Sequence, residues 1–266
     1  MLTPAKFKKL SDDLKKYNKY LSKNNFDEID ESKTRSIIDR FLMRILGYDF
    51  KDIGTEYRIK DKYVDYAIKL EDPKRKEVVI CFIVEVKAYK LKLSENHLRQ
   101  AIDYATDEGI DWVLLTNARQ FDLYKILWGK PIDKRKVFTV DLLDKNQLKE
   151  SASNLQYLHK DVITKGSLDS LWAKCDALDP ITVANILCGS YVINHIKRTL
   201  KNEYKYKPSD QEIINSIKRV FKESIDVENK IKGIKKTRKS KPSGNKKTKV
   251  CKDTINGTQP LTDLPT

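Results

Sequence analysis

Near the start of the chain, apolar residues recur every three or four positions, which is the period of an amphipathic helix. Residues 4–24 follow this pattern with lysine and aspartate between, and they predict a first helix with a solvated outer face. A second helix is predicted to begin at Asp30 or Ser32, either of which can cap it, and to stop at Gly47. Two helices therefore precede any strand.

The hydrophobic period then changes to the alternation of extended chain. The third strand, "VVICFIVEVK", is apolar on both faces, as expected for the centre of a sheet. A tight turn is predicted at Lys60–Lys62 and a helix at residues 94–107. The predicted strands cover residues 54–60, 62–70, 78–87, 111–117, 121–128 and 136–143. This order predicts an α/β fold with a central mixed β-sheet flanked by helices.

Beyond residue 143 the strand signals stop, and a helical C-terminal region is predicted. Its helices are expected at residues 145–157, 168–177, 181–203 and 209–224. Within them, residues 181–196 are almost wholly apolar, and we expect them to be buried against the sheet or in a partner. The predicted divisions are an N-terminal helix at 1–24, a core at 25–143, the helical region at 144–225 and a basic disordered tail at 226–266.

Charge adds information about partners. The 266 residues carry a formal net charge of +15, which would attract a polyanion such as nucleic acid. Ten basic residues lie between Lys230 and Lys249, so the rest of the chain is only mildly basic. No apolar run is long enough to span a bilayer, the N-terminus reads as no secretion signal, and the four cysteines are scattered. We therefore expect a cytoplasmic protein without a membrane partner.

The third strand carries a charged pair in an otherwise apolar run. Period-two alternation places Glu85 and Lys87 side by side on one face with Ile83. Phe82, Val84 and Val86 point to the other face. An ion pair on a half-exposed strand would explain such a pair, and a Glu-x-Lys triplet alone is weak evidence for chemistry.

The preceding strand strengthens the case, because it offers Asp65, with Val64 and Tyr66 expected to point the opposite way. Two carboxylates and an ammonium on adjacent strands are costly to bury unpaired, and a divalent metal removes that cost. Asp65 and Glu85 can supply oxygens to Mg²⁺, and Lys87 can orient or deprotonate an attacking water.

Further residues complete a recognisable order. The helix after the third strand contains "HLRQAIDYA", in which Gln100 and Tyr104 are four residues apart, and Glu31 opens the second helix. The order acidic helix, Asp, Glu-x-Lys, Gln-x-x-x-Tyr resembles the PD-(D/E)xK nuclease superfamily. More narrowly, "ESKTRSIIDRFLMRILGYD", "TEYRIKDKYVDYAI", "IVEVKAYK" and "WVLLTNARQFDLY" are similar to the N-terminal nuclease domain of type I restriction enzyme R subunits.

This resemblance covers about residues 28–140 and implies a restriction-endonuclease-like fold and a metal-dependent DNA endonuclease. It implies that Asp65, Glu85 and the Val86 carbonyl bind Mg²⁺, for which Mn²⁺ can substitute, and that Lys87 is the catalytic lysine. Glu31 would be an auxiliary acid. Gln100 and Tyr104 would lie near the DNA backbone or support the site. One position departs from the family pattern, since Ala118 replaces its usual glycine.

The partners and the substrate stay open at this point. Arg58, Lys60, Lys90 and Lys92 could touch DNA phosphates, or they could be solvated strand ends. The helical C-terminal region could form a homodimer or recognise DNA. R subunits continue into helicase motors, but this chain has no Walker A sequence, so either translocation would need a helicase partner or the chain is a stand-alone nuclease. A methyltransferase partner would fit a restriction system.

The leading hypothesis is thus an Mg²⁺-dependent endodeoxyribonuclease in restriction or another antiviral defence. The alternative is a catalytically inactive, nuclease-fold DNA-binding or scaffolding subunit of a defence complex. A nuclease acting on RNA is a third hypothesis, because the core motifs do not distinguish the sugar.

Overall fold

The computed structural model describes residues 1–26, 28–59, 62–73 and 76–222, without the side chains at 57–59, 62, 221 and 222. The predicted turn at Lys60 and Asp61 and the predicted tail from residue 226 lie outside the described residues.

The described elements follow the predicted order of two helices, three strands, a helix and three strands. The helices are α1 Pro4–Lys23, α2 Glu31–Arg44, α3 Arg99–Glu108, α4 Leu148–Leu155, α5 Lys160–Ile163, α6 Ser167–Ala177, α7 Pro180–Leu187, α8 Ser190–Tyr204 and α9 Asp210–Lys222. The strands are β1 Ile53–Ile59, β2 Lys62–Glu71, β3 Val78–Val86, β4 Trp112–Thr116, β5 Gln120–Leu127 and β6 Asp133–Asp141.

Local signals explain where the first helices begin. Pro4 stands at the start of α1, where its missing N–H costs nothing. Asp30 caps α2, because its Oδ1 accepts the N–H of Lys33 at 2.8 Å, which decides between the two predicted caps. Gly47, just past α2, has a φ of +78°, a conformation that favours glycine.

The six strands form one mixed sheet in the spatial order β1-β2-β3-β4-β5-β6. Neighbouring strands are antiparallel except for β3 and β4, which are parallel and joined through α3. Such a crossover helix covers one face of the sheet. The predicted α/β fold, a mixed sheet with flanking helices and a helical C-terminal part, is confirmed.

Each face of the sheet has its own apolar core. On one face, α1, α2 and the helices α4–α6 pack on β3 and its neighbours through residues such as Leu14, Phe41, Phe82 and Leu155. On the other face, α3 packs through Ala101, Tyr104 and Ala105 onto the sheet, including Ile83 and Val113. The alternation along β3 therefore sends Phe82 and Ile83 into different cores, as the sequence pattern predicts.

Helix α1 is tied to the sheet by a buried side-chain amide. The Nδ2 of Asn18 donates to the carbonyl oxygens of Leu142 at 2.6 Å and Leu143 at 3.2 Å. Because these carbonyls would lose their partner, we expect Asn18→Ala to lower the free energy of unfolding by about 1–3 kcal/mol. Urea denaturation measures this difference. The exposed neighbour provides the control, since Lys19→Ala should leave the unfolding midpoint nearly unchanged, and an equal loss in both variants would contradict the assignment.

The described part of the chain divides into two compact units, the first ending at residue 186 and the second beginning at residue 187. The first contains the sheet and α1–α6, and in the second α8 packs against α9. The domain boundaries predicted at residues 24, 143 and 225 stay predictions.

The single helix predicted at residues 181–203 is wrong. The helix is interrupted, because α7 ends at Leu187 and α8 begins at Ser190. Within the apolar stretch Ile181 is 72% exposed and Tyr191 is 87% exposed, although Ile193 is buried. The expected burial of this stretch against the sheet or in a partner stays a prediction.

Within the part of the chain that the structure describes, no helix combines the length and the apolar character needed to cross a membrane.

Candidate active site

The centre of the candidate site lies at the C-terminal end of β3. Glu85 lies there with only 5% of its surface exposed, while Phe82, Val84 and Val86 fill the core beneath α1 and α2. A carboxylate this deep in a central strand needs a partner or a change of protonation. The structure supplies a partner for Glu85, and burial also makes this carboxyl easier to protonate.

Lys87 is the partner of Glu85. Its Nζ lies 2.5 Å from Oε1 of Glu85 and 3.7 Å from Oε2 of Glu31, so it bridges the strand and the start of α2. The backbone N–H of Lys87 donates to the carbonyl of Thr116 at 2.8 Å, which holds this end of β3 against β4. The ammonium is therefore fixed between two carboxylates.

The surroundings of this pair raise the pKa of both groups, which favours a charged Lys87 and opposes the ionisation of Glu85. Burial raises the pKa of Glu85, Lys87 opposes this by a hydrogen bond and by its charge, and Asp65 and Glu31 add to it, so that the pKa stands at about 6. For Lys87, burial lowers the pKa, but the bond to Glu85 and the surrounding carboxylates more than offset this and raise it. Without a metal, Lys87 is thus an ammonium at neutral pH, able to donate hydrogen bonds but unable to accept a proton.

Asp65 reaches the same place from the neighbouring strand. The register of β2 against β3 pairs Tyr66 with Val84, so one residue further along Asp65 comes opposite Glu85. Its Oδ2 accepts the backbone N–H of Val86 at 2.7 Å, and its Oδ1 lies 3.2 Å from Nη1 of Arg35. Both oxygens of Asp65 are therefore engaged.

The strand is irregular at Asp65, and one expectation fails there. Tyr66 packs in the core under α1 and α2, as alternation predicts, but Val64 packs in the core under α3 with Ala67. On the paired strand β1, Glu56 adopts a φ of +43°, which is unusual for a residue with a side chain. The prediction that Val64 and Tyr66 point the same way is wrong, because the backbone does not alternate strictly at this point.

Helices α2 and α3 supply the remaining walls of the cleft. Glu31 and Arg35 are four residues apart on α2 and so project together. Gln100, in the first turn of α3, donates from Nε2 to the carbonyl of Tyr63 at 3.2 Å. The resulting cleft has a volume of about 390 Å³ and is lined by Glu31, Arg35, Glu56, Tyr63, Val64, Asp65, Glu85, Lys87 and Gln100.

Not every predicted residue reaches this cleft. Tyr104 is buried in the core under α3, where it supports the helix that carries Gln100 rather than facing the cleft. Lys90 and Lys92 are exposed on the segment after β3 and do not line the cleft. The Arg58 side chain and Lys60 lie outside the described residues.

Four lining residues were not predicted, namely Arg35, Glu56, Tyr63 and Val64. For Arg35 a signal was present, since it follows Glu31 by four residues in a predicted helix and must share its face. For Glu56 and Tyr63 no signal was present, because their place in the cleft follows from how β1 and β2 pair beside β3.

A second cleft of about 400 Å³ adjoins the first and shares Glu85, Lys87 and Gln100 with it. Its other walls include the polar side chains of Asn96, His97, Arg99 and Asp103. The glutamate–lysine pair therefore lines both clefts.

Residues 30–132 match the family model described as the N terminus of the type I restriction enzyme R protein. The match confirms the predicted resemblance. It spans α2, the strands β1–β5 and α3, and so contains the whole lining of the cleft. Neither a search of curated proteins nor a search of solved structures gave a match.

The donor set of the cleft suits the hard divalent cation that this family implies. Four carboxylates line it against two cationic side chains, and all of its anionic donors are oxygens, as Mg²⁺ prefers. Among the described residues, no three Asp, Glu, His or Cys side chains are arranged as a ready metal site. Two carboxylates with waters and a carbonyl are nevertheless an ordinary Mg²⁺ set, so the residues fit the group.

Proposed function

We propose that the core of this chain is a metal-dependent endonuclease that hydrolyses phosphodiester bonds of DNA in a restriction or antiviral system. The observation that carries the proposal is the convergence of Asp65, Glu85, Lys87 and Glu31 on one cleft at the end of the central strand. The family match supports the restriction context, because it covers the residues that line this cleft.

In this proposal, Asp65 and Glu85 would hold Mg²⁺ together with the Val86 carbonyl. When bound, the cation would supply a nucleophilic water and stabilise the negative charge that develops on the phosphate. Lys87, a fixed ammonium beside Glu85, would donate a hydrogen bond to the attacking water or to a phosphate oxygen. Glu31 keeps that ammonium in place from the opposite wall, and Gln100 would contact the DNA backbone above it.

A cleavage assay tests this proposal. Supercoiled plasmid, linear duplex DNA, single-stranded DNA and RNA are incubated with the protein in Mg²⁺, Mn²⁺ or EDTA. We expect nicking or cutting of DNA with either metal and none in EDTA, because in this proposal the cation supplies the nucleophilic water. Equal cleavage in EDTA would contradict metal dependence, and preferential cutting of RNA would move the substrate to that class.

One observation favours the alternative, a catalytically inactive DNA-binding or scaffolding subunit. The carboxylates of the cleft are already paired, Asp65 with Arg35 and Glu85 with Lys87. A retired site could keep such pairs for stability alone. Calorimetric titration with Mn²⁺ separates the two functions: the nuclease should bind the metal and lose it in Asp65→Ala, whereas the inactive subunit should bind none.

The partners stay proposals as well. A homodimer through the helical C-terminal region would bring two clefts to one duplex, and the exposed apolar residues of α7 give it a surface. A helicase partner would supply translocation and a methyltransferase would protect host DNA. Sedimentation of the protein with and without duplex DNA measures whether it forms the homodimer.

A further inference from the structure

Arg35 places a cation inside the acidic cleft. Its Nη1 lies 3.2 Å from Oδ1 of Asp65 and 3.4 Å from Oε1 of Glu56. The side chain of Arg35 is 30% exposed and that of Asp65 only 11%, so the pair is largely shielded from water. A guanidinium in such a place interacts with a carboxylate far more strongly than at an open surface.

The backbone of Arg35 is held in place, while its side chain has a choice of partners. The hydroxyl of Tyr66 donates to the Arg35 carbonyl oxygen at 3.0 Å and pins this turn of α2 to the sheet. The second acceptor of the guanidinium, Glu56, is 72% exposed and lies at the rim of the cleft. A small change of side-chain rotamer can therefore move the charge from Asp65 toward the rim without moving the helix.

The contact with Asp65 conflicts with metal binding. Oδ2 of Asp65 accepts the N–H of Val86, whereas Oδ1 has no backbone donor and is the oxygen that Arg35 contacts, so a cation that binds at Oδ1 meets the guanidinium there. A guanidinium and a divalent cation at the same oxygen would repel each other by several kcal/mol at short range. Occupation by one therefore requires the departure of the other.

We propose that Arg35 is a positioning residue that holds Asp65 in the metal-free protein, competes with the divalent cation for its Oδ1 and withdraws to Glu56 when the cation binds. This inference rests on the proposed function, because it assumes that Asp65 is a metal ligand. Arg35 thus keeps the carboxylate oriented before the metal arrives and lowers the affinity of the cleft for it.

The test is a calorimetric titration of the full chain with Mn²⁺, and separately with Ca²⁺, at pH 7.5 without nucleic acid. Arg35→Gln should bind each metal about tenfold more tightly than the unaltered protein, because the competing charge-assisted hydrogen bond is lost. A merely structural role would weaken binding, so the direction is diagnostic. Arg35→Lys should lie between the two, and Arg40→Gln, on the same helix but outside the cleft lining, should change nothing.

Glu56 provides a second measurement. If it receives the displaced guanidinium, Glu56→Gln should weaken Mn²⁺ binding in the unaltered background and have no effect in the Arg35→Gln background. A loss of equal size in both backgrounds would make Glu56 a metal ligand itself and overturn this part of the proposal. Circular dichroism confirms that each variant is folded.

The outcomes separate this inference from the proposed function. If the protein binds Mn²⁺, Asp65→Ala abolishes the binding, and Arg35→Gln leaves the affinity unchanged or lowers it, the inference is wrong and the proposed function stands. If the unaltered protein and Arg35→Gln both bind no Mn²⁺, the proposed function fails and the inference fails with it.

Discussion

Glu85→Gln should reduce metal-dependent cleavage roughly 10³-fold or more and at the same time make the metal-free protein more stable. The loss of activity follows because the amide cannot carry the negative charge that holds a divalent cation beside Asp65. The gain follows from burial, since the carboxylate of Glu85 is almost completely removed from water and has a pKa raised to about 6. This one substitution should therefore lower the cleavage activity and raise the stability of the metal-free protein.

The stability effect has a definite sign. The pKa of Glu85 is higher in the folded protein, at about 6, than its ordinary value of 4.5, so the folded state binds the proton more tightly. The contribution of this group to stability is complete below about pH 4.5 and declines as the pH rises through about 6. At pH 7.5 the ionised form therefore costs roughly 2 kcal/mol, which Glu85→Gln should recover.

Thermal unfolding in EDTA across pH 4–8 measures the stability difference between the unaltered protein and Glu85→Gln, and single-turnover cleavage measures the activity of each. The melting curves of the two proteins should coincide near pH 4 and separate between pH 4.5 and 6.5, with the variant the more stable. Glu71→Gln, an exposed glutamate at the end of β2, is the matched control and should shift neither quantity. A variant that cuts DNA at the unaltered rate would exclude Glu85 as a metal ligand and refute the proposed site.

Strand alternation predicts one half of the site well. The period-two pattern of β3 places Glu85 opposite Phe82 and Val84 without reference to any other element, and the structure agrees. The same rule fails on β2, where Val64 and Tyr66 enter different cores. Glu56, on the strand paired with β2, has a positive φ at the same level of the sheet, and a glutamate in the sequence gives no indication of such a backbone conformation.

The turn after β4 shows how a departure from a family pattern can be accommodated. Ala118, which stands where the resembling family has glycine, adopts a φ of +68°. The Oδ1 of Asn117 accepts the N–H groups of Arg119 at 3.2 Å and Gln120 at 2.7 Å, and Tyr17 donates to the Ala118 carbonyl at 2.8 Å. These hydrogen bonds hold Ala118 in a backbone conformation that is unfavourable for alanine. The sequence alone did not predict these bonds.

The exposed apolar residues of α7 and α8 mark the limit of the hydrophobic pattern. An almost continuous apolar run predicts burial but does not say in what, and Ile181 and Tyr191 are exposed. Arg35 marks the opposite case, because its spacing from Glu31 was visible in the sequence but its contact with Asp65 was not. Periodicity predicts which face a residue occupies, and only the packing of helix on sheet shows what it meets there.

Lys87→Met should lower single-turnover cleavage about 10²–10³-fold while leaving a metal site that still binds Mn²⁺. The methionine keeps much of the apolar stem but removes the ammonium that would donate to the attacking water or the phosphate. Removing it also removes the two interactions with Lys87 that hold the pKa of Glu85 down. Protons should then compete with the metal more strongly, and Mn²⁺ binding should weaken at pH 6 and recover at pH 8.5.

The pH dependence distinguishes a catalytic role of Lys87 from one that only maintains Glu85. If Lys87 serves only to keep Glu85 ionised, cleavage by Lys87→Met should recover together with Mn²⁺ binding at pH 8.5, when the carboxyl has lost its proton without help. If its hydrogen bond acts on the reaction, the loss in rate should persist at pH 8.5 and at saturating metal. Lys51→Met, at an exposed lysine outside the cleft lining, controls for the loss of one positive charge. A normal rate for Lys87→Met at saturating Mn²⁺ and pH 8.5 would therefore assign the ammonium to the electrostatics of Glu85 alone.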